Sequence, residues 1–280
     1  MTLIFDGRKL AAEKERKLAL AVAEFKKAHG FSPKLVSILI GDNPASVKYL
    51  AIKKAVGERV GMVVEEVKFG EEVEPTAITA LIEAKNKETR VHGIMIQMPI
   101  PKKFSIFNFQ FSIAPDKDVD CLTAENLRLL AEGRPRFLPA TTAAIMAVID
   151  HFSRIGDTIP IQDQKIMVVG NRGFVGESLF AYLQGQKLNV VGVDKEVADL
   201  GSIIRQADIL ISCTGRPGLI KKEMVKKGAA VIDVGYPRAD VDFAEVAKIA
   251  SFITPVPGGV GPLTVISLLE NVLLVANHLF

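Results

Sequence analysis

The sequence contains few cysteines, little net charge and no long apolar run, and each absence argues against a class of protein. Its 280 residues include two cysteines, Cys121 and Cys213, too few and too far apart for a disulfide framework or a zinc-ligand cluster. The formal net charge is only +3, and no dense Lys/Arg run marks a nucleic-acid partner. No apolar run approaches the roughly 18 residues of a membrane span, and the N-terminus lacks a signal-peptide pattern. We therefore expect a cytoplasmic protein with no membrane or nucleic-acid partner.

The chain does contain a regular alternation of short apolar segments and amphipathic segments, which is typical of an α/β fold. In the first half, KLVSILIG, VVEEVKF and GIMIQMPIP are predicted as strands, with helices between them. A polar, turn-rich stretch within residues 101–140 interrupts the alternation, which starts again at Lys165. The pattern predicts two α/β units divided near residue 140, and a C-terminal apolar helix.

The segment VVGNRGFVGES is the strongest indication of a nucleotide site. Gly170, Gly173 and Gly176 lie between a predicted buried strand and the following helix. Glycines at this position let backbone N–H groups approach a pyrophosphate at the helix N-terminus. The spacing is G-x-x-G-x-x-G rather than G-x-G-x-x-G, so an ordinary strand–helix turn is the alternative.

Charged residues near this turn leave the choice of dinucleotide open. Asp194 ends the next predicted strand, where an acid hydrogen-bonds the ribose 2′-OH and favours NAD. Arg172 and Lys195 favour NADP instead, because cations can hold a 2′-phosphate.

Two further segments indicate a ligand site. TPVPGGVGPLT, residues 254–264, holds three prolines and forms neither a strand nor a helix; such loops at strand ends bind ligands in α/β sheets. GIMIQMPIP places Gln97 in an apolar strand, where a buried amide has to be hydrogen-bonded.

Tyr49 and Lys53 are four residues apart and share one face of a predicted helix. A lysine beside a phenol in a partly dry crevice can have a lowered pKa and transfer protons. The alternative is an exposed lysine beside a half-buried tyrosine.

Metal binding has weak support in the sequence. PDKDVDCL supplies Asp116, Asp118 and Asp120, but their spacing is not that of an EF-hand loop. The four histidines form no cluster. We expect no metal site.

Taken together, the segments occur in the order found in a known family. GDNPASVKYLAIKK, GIMIQMPIP, PDKDVD, CTGRPGLI, VIDVG and TPVPGGVGPLT extend over nearly the whole chain. The chain closely resembles the bifunctional methylenetetrahydrofolate dehydrogenase/methenyltetrahydrofolate cyclohydrolase family. The resemblance implies oxidation of 5,10-methylenetetrahydrofolate by NADP⁺, followed by hydrolysis of the methenyl product to 10-formyltetrahydrofolate.

The same resemblance implies an organisation for the chain. Residues 1–140, joined by the C-terminal helix 265–280, would form an α/β folate-binding domain. Residues 141–264 would form a Rossmann-like NAD(P)-binding domain, with the active-site cleft between the two. It also implies a homodimer that binds one-carbon derivatives of tetrahydrofolate and serves purine, histidine and methionine biosynthesis.

The resemblance also implies roles for individual residues. Lys53 would serve the proton transfers of hydrolysis, Tyr49 would stack on the folate, Gln97 would tune the lysine, and Asp120 would bind the pterin's amino edge. The implied substrate-binding residues are Tyr49, Gln97, Pro99, Asp120, Pro257, Gly258, Gly259 and Leu263. The implied cofactor-binding residues are Gly170, Asn171, Arg172, Gly173, Gly176, Asp194, Lys195, Thr214, Gly215 and Tyr236.

This chain departs from the family pattern mainly on the dinucleotide side. The family's usual Gly-Arg-Ser is Gly170-Asn171-Arg172 here, and its usual His-Ser is Asp194-Lys195. The glycine that follows the DVD acid is Cys121. NADP and NAD therefore both stay open as cofactors. An enzyme with one of the two activities, or a folate- or nucleotide-binding protein without turnover, is the alternative function.

Overall fold

A computed structural model of the chain describes residues 2–104, 109, 112–155 and 160–280, which pack into two α/β units. The first comprises Met1–Ala11, Leu129–Arg136 and Thr141–Thr264, and we call it the six-stranded unit. The second comprises Ala12–Arg128, Phe137–Ala140 and Val265–Phe280, and we call it the three-stranded unit. The predicted α/β class is confirmed.

Strands and helices alternate along most of the chain, as their apolar patterns predict. The strands are β1 (Leu3–Ile4), β2 (Lys34–Ile40), β3 (Val63–Phe69), β4 (Gly93–Ile96), β5 (Ile166–Val169), β6 (Val190–Val193), β7 (Ile209–Ser212), β8 (Ala230–Asp233) and β9 (Phe252–Ile253). The helices are α1 (Gly7–His29), α2 (Pro44–Val60), α3 (Pro75–Lys87), α4 (Ala124–Ala131), α5 (Ala140–Ile155), α6 (Phe174–Gly185), α7 (Leu200–Ile204), α8 (Phe243–Val246) and α9 (Val260–Leu279).

In the described residues, six parallel strands form the larger sheet, in the order β1-β9-β8-β7-β5-β6. The strand order reverses between β5 and β7, because β6 lies on one side of β5 and β7 on the other. In open parallel sheets, ligands bind outside the carboxyl ends of the strands at such a reversal. The core beneath this edge is apolar and buried, and includes Val169, Leu210 and Val231.

The N-terminal residues differ from the predicted division of the chain. Leu3 and Ile4 pair in parallel with Phe252 and Ile253, so β1 belongs to the six-stranded unit. The prediction had placed residues 1–140 together. A strand of two residues has no periodicity by which the sequence could reveal its partner.

The smaller sheet, as far as the described residues show, has the parallel order β3-β2-β4. Its strand order also reverses, between β2 and β4. Asn43 caps α2 by accepting hydrogen bonds from the backbone N–H groups of Ala45 and Ser46, and Gly61 ends the helix in the left-handed region. This local chemistry fixes where α2 begins and ends beside the sheet.

Helix α9 corrects one expectation from the sequence. Of the helices that the structure describes, Val260–Leu279 is long and apolar enough to cross a membrane, although we had expected no such segment. About 67% of its most apolar window is buried inside the fold, as in the core helix of a folded domain.

Candidate active site

Lys53 is the centre of a buried polar group in the three-stranded unit. Its side chain is 5% exposed, and Nζ donates to Gln97 Oε1 at 2.8 Å. The same Nζ lies 5.2 Å from the ring centroid of Tyr49, which is half-buried one turn earlier on α2. The structure therefore brings Tyr49, Lys53 and Gln97 together and rules out the exposed lysine of the alternative interpretation.

Gln97 is held in a defined orientation at the carboxyl end of β4. Its backbone N–H donates to the carbonyl of Ile38 on β2, at 2.8 Å. Its side-chain Nε2 donates to the Met98 carbonyl at 2.9 Å, which directs Oε1 towards Lys53. The buried hydroxyl of Ser46 donates to the same carbonyl at 3.0 Å and so ties the start of α2 to this strand end. Sequence reasoning had not identified Ser46.

Burial controls the charge of Lys53. Removal from water lowers its pKa to about 8, while the negative charge of Asp120 opposes that shift. Burial raises the pKa of the Asp120 carboxyl, and the charge of Lys53 opposes that rise. A lysine with a pKa near 8 exchanges protons close to neutral pH, which suits a general base or acid.

The three aspartates of the acidic loop before α4 differ in their burial and their contacts. Asp118 is buried and accepts hydrogen bonds from the Leu122 and Thr123 N–H groups, at 2.8 and 2.7 Å. Asp116 is exposed, and Asp120 is the acid whose charge acts on Lys53. Among the described residues, no group of three or more His, Cys, Asp or Glu side chains is placed to hold a metal ion.

Cys121 follows this acid with a backbone φ of 61°, in the left-handed region that favours glycine. The conformation explains why the family pattern has glycine at this position. The thiol of Cys121 is buried and donates to the Phe137 carbonyl at 3.5 Å.

In the six-stranded unit, the predicted phosphate turn lies at the reversal between β5 and β7. Gly170 has a φ of 84°, and a Cβ there would lie 2.6 Å from the Cys213 carbonyl oxygen. A Cβ on Gly176 would lie 2.2 Å from the Gly170 carbonyl oxygen. Gly173 is the N-cap residue of α6 and provides no side-chain hydrogen bond to the start of the helix. The turn thus requires glycine for close backbone packing and leaves the start of the helix open to an anion.

Charged side chains from neighbouring strand ends surround this turn. Arg172 Nη1 lies 3.2 Å from Asp194 Oδ2, and Lys195 Nζ donates to the Thr214 carbonyl at 3.0 Å. The ends of β6, β5 and β7 thereby bring five predicted cofactor residues together. They are Gly170, Arg172, Asp194, Lys195 and Thr214. Asn171 packs its side chain against Gly192, Gly215 is exposed with a φ of 63°, and Tyr236 is exposed beyond the end of β8.

Two buried carboxylates support this edge, and sequence reasoning had not assigned them. Asp240 Oδ2 accepts from the Thr214 N–H at 2.7 Å, the Gly215 N–H at 3.2 Å and the Ser212 hydroxyl at 2.9 Å. Asp233 accepts from the Gly235, Asp240 and Val241 N–H groups. Burial raises the pKa of Asp233 to about 6, with a smaller contribution from the Asp240 charge. The signal in the sequence was an acid ending the apolar run AAVID.

The proline- and glycine-rich loop is tightly packed by backbone contacts. Gly258 has a φ of 110°, and a Cβ on Gly259 would lie 2.6 Å from the Pro255 carbonyl oxygen. A Cβ on Gly7, the first residue of α1, would lie 1.9 Å from the Gly259 carbonyl oxygen. Pro257 is exposed, whereas Leu263 is fully buried in the first turn of α9. Pro99, three residues after the end of β4, is exposed as well. The prediction that residues 254–264 form no helix was wrong for their last part, because α9 already begins at Val260 rather than at residue 265.

A glycine turn at the reversal of a parallel sheet and a buried lysine with a lowered pKa are the features of a nucleotide-dependent α/β enzyme. Residues 5–120 match the family model described as tetrahydrofolate dehydrogenase/cyclohydrolase, catalytic domain. Residues 139–280 match the model of the NAD(P)-binding domain of the same family. The chain belongs to the tetrahydrofolate dehydrogenase/cyclohydrolase family, which confirms the resemblance and the predicted pair of domains. The predicted active-site cleft between those domains stays a prediction.

Proteins named as members of this family match this chain over nearly its full length. The bifunctional protein FolD of Lactobacillus delbrueckii subsp. bulgaricus is 41% identical over 278 residues, which cover 96% of this chain and 95% of the relative. The bifunctional FolD crystal structure from Campylobacter jejuni has a TM-score of 0.93 at 33% identity, covering 99% of both chains. The Trypanosoma brucei enzyme, solved with NADP cofactor and an inhibitor, has a TM-score of 0.92 at 31% identity, covering 99% of this chain and 98% of that one.

Proposed function

We propose that the protein is a bifunctional enzyme that oxidises 5,10-methylenetetrahydrofolate with NADP⁺ and hydrolyses the methenyl product to 10-formyltetrahydrofolate. The observation that carries the proposal is Lys53, a buried lysine with a pKa near 8, bonded to Gln97 and affected by Asp120. The names of its full-length relatives support both activities.

In the hydrolytic step, the neutral amine of Lys53 accepts a proton from water. The water oxygen forms a bond to the cationic methenyl carbon, and the positive charge passes to the Lys53 ammonium. The ammonium then returns a proton to N5 of the folate as the bond from that nitrogen to the carbon breaks. Loss of the hydroxyl proton to solvent leaves the 10-formyl product. A lysine that remained charged would repel the cationic substrate, so burial supports this role directly.

Gln97, Tyr49 and Asp120 would position lysine and substrate. Gln97 Oε1 holds Nζ, since its own Nε2 is fixed by the Met98 carbonyl. The half-buried ring of Tyr49 offers a face on which a pterin can stack. The Asp120 carboxylate would accept hydrogen bonds from the amino edge of the pterin.

The residues at the carboxyl ends of β5, β6 and β7, in the six-stranded unit, fit a dinucleotide. A Cβ at Gly170 or Gly176 would clash with backbone atoms, so glycine permits the tight turn whose backbone N–H groups would meet a pyrophosphate. Arg172 and Lys195 supply cations for a 2′-phosphate. When bound, NADP⁺ supplies the nicotinamide that accepts the hydride from the folate's one-carbon bridge. The role of this chain is to hold and orient the dinucleotide.

The decisive experiment is oxidation of 5,10-methylenetetrahydrofolate by the purified chain, followed by absorbance of reduced nicotinamide and of the methenyl product. Runs with NAD⁺ and NADP⁺ separately establish the cofactor. Both activities predict reduced nicotinamide without lasting methenyl accumulation. If the methenyl product accumulates and disappears only as fast as it hydrolyses without enzyme, the chain is a dehydrogenase alone. No turnover with either cofactor would overturn the proposal.

We also propose a cytoplasmic homodimer. In the described residues β3 is an edge strand, and it exposes Val63, while the outer face of α2 exposes Val47 and Ile52. An open strand edge beside exposed apolar side chains suits pairing with a second copy. Sedimentation equilibrium should give twice the 30.3 kDa chain mass, and Val63→Glu should shift it towards the monomer. A monomeric wild-type chain would contradict this assembly.

A further inference from the structure

Met95 makes a contact with Lys53 that the proposed function does not use. Lys53 Nζ lies 3.3 Å from Met95 Sδ, in addition to its 2.8 Å bond to Gln97 Oε1. Met95 is 2% exposed and precedes Gln97 by two residues, so both side chains leave β4 on the same face. The lysine nitrogen therefore has two acceptors arranged along one strand.

The number of acceptors matters because the two charge states of lysine differ in their donors. The ammonium carries three N–H donors and no acceptor. The neutral amine has lost one proton and gained a lone pair. If Gln97 and Met95 receive both remaining N–H bonds, the tetrahedral nitrogen has to direct its lone pair away from β4. With one acceptor alone, rotation about the Cε–Nζ bond would let the second N–H and the lone pair exchange positions.

We propose that Met95 is a positioning residue which, together with Gln97, aims the lone pair of neutral Lys53 at the water to be deprotonated. The inference rests on the proposed function, because it assigns Lys53 as the base of hydrolysis. A thioether suits the task, since it is a weak acceptor that orients an N–H without strongly stabilising the charged form. A carboxylate or amide at this position would hold the ammonium and oppose its deprotonation.

The test is the pH–rate profile of methenyl hydrolysis in Met95→Leu, corrected for uncatalysed hydrolysis. Leucine conserves volume and removes the acceptor. We expect the plateau rate to fall about three- to tenfold, with KM unchanged. The midpoint should also move to lower pH by roughly half a unit, because the sulfur favours the ammonium over the amine. Met95→Ile, suited to a strand, provides a second variant with the same expectation.

Met62→Leu is the matched control, because Met62 is also buried and lies in the same unit, just after the end of α2. Its hydrolysis profile should overlay that of the wild type. A packing effect alone would lower the stability of the Met95 variants without moving the midpoint. Wild-type midpoint and plateau in folded Met95→Leu or Met95→Ile would overturn the inference. Failure of the proposed function looks different, since Lys53→Ala would then still hydrolyse the methenyl substrate.

Discussion

Arg172 and Asp194 form an ion pair, with Arg172 Nη1 3.2 Å from Asp194 Oδ2, at the edge where the dinucleotide would bind. The pair joins the cation that favours NADP to the acid that favours NAD. Because Arg172 is 82% exposed and Asp194 28% exposed, the pair is weak and can open when a ligand binds.

Because of this pair, we expect the enzyme to use NAD⁺ as well as NADP⁺, with only a modest selectivity for NADP⁺. Asp194→Asn should free Arg172 and remove a charge that repels a 2′-phosphate. We expect kcat/KM for NADP⁺ relative to NAD⁺ to rise roughly three- to tenfold. Glu196→Gln, at a nearby exposed acid, is the control for net charge. A strong NADP⁺ preference that Arg172→Ala leaves unchanged would refute the role of Arg172.

Lys53→Ala should remove methenyl hydrolysis while the chain still folds. General acid–base groups contribute about 10²–10⁴-fold to rate, so a loss of this size is expected in a stopped-flow or absorbance assay. Lys54→Ala is the matched control: Lys54 lies on the neighbouring face of α2 and pairs with Glu66 at 3.0 Å. Full hydrolysis in Lys53→Ala would remove Lys53 from the mechanism.

The pH dependence of hydrolysis should report the pKa of Lys53. The neutral amine is the active form, so the rate should rise with pH and reach half its maximum near pH 8, the pKa that burial imposes. The charge of Asp120 raises this pKa, so Asp120→Asn should lower it and move the midpoint to lower pH. Asp116→Asn, at the exposed acid of the same loop, should leave it in place. An unmoved midpoint in Asp120→Asn contradicts the coupling.

Asp240→Ala should weaken dinucleotide binding through the Thr214–Gly215 backbone. The change leaves two backbone N–H groups and the Ser212 hydroxyl without their shared acceptor. Hydrogen bonds to a charged group contribute about 1.5–3 kcal/mol each, so both the melting temperature and the affinity for NADP⁺ should fall. Asp242→Ala removes a neighbouring carboxylate that pairs with Lys221 at the surface, and should change the affinity little. Equal affinities in the two variants would show that Asp240 does not position the loop.

Gly7→Ala should destabilise the fold at the proline- and glycine-rich loop. The new Cβ would lie 1.9 Å from the Gly259 carbonyl oxygen, so the backbone has to shift. Overpacking of this kind costs about 1–3 kcal/mol of unfolding free energy, measurable by urea denaturation. Gly261→Ala, on the exposed side of α9 with open space for a Cβ, should instead stabilise by about 0.5–1 kcal/mol. Equal effects of the two changes would contradict the close packing.

The sequence predicted local features well because their causes are local. A helix was predicted between the strands KLVSILIG and VVEEVKF, and α2 lies there from Pro44 to Val60, since a capping asparagine, a proline and a terminal glycine lie next to its ends. The glycine turn at Gly170 was found for the same reason. Strand β1 and the role of Asp240 were missed, because their partners lie far away in the chain.

By itself, the sequence determined the α/β class, the segments that become strands, and the residues capable of acid–base chemistry. Apolar periodicity and side-chain chemistry depend only on the identity and spacing of neighbouring residues in the chain. Only the tertiary structure decided the state of Lys53. Packing of α2 against β4 excludes water from its amine, places Gln97 and Met95 within reach of it, and lowers its pKa to about 8. A lysine in the same sequence context but exposed to water would stay charged, since the desolvation that neutralises it comes from surrounding atoms and not from neighbours in the chain.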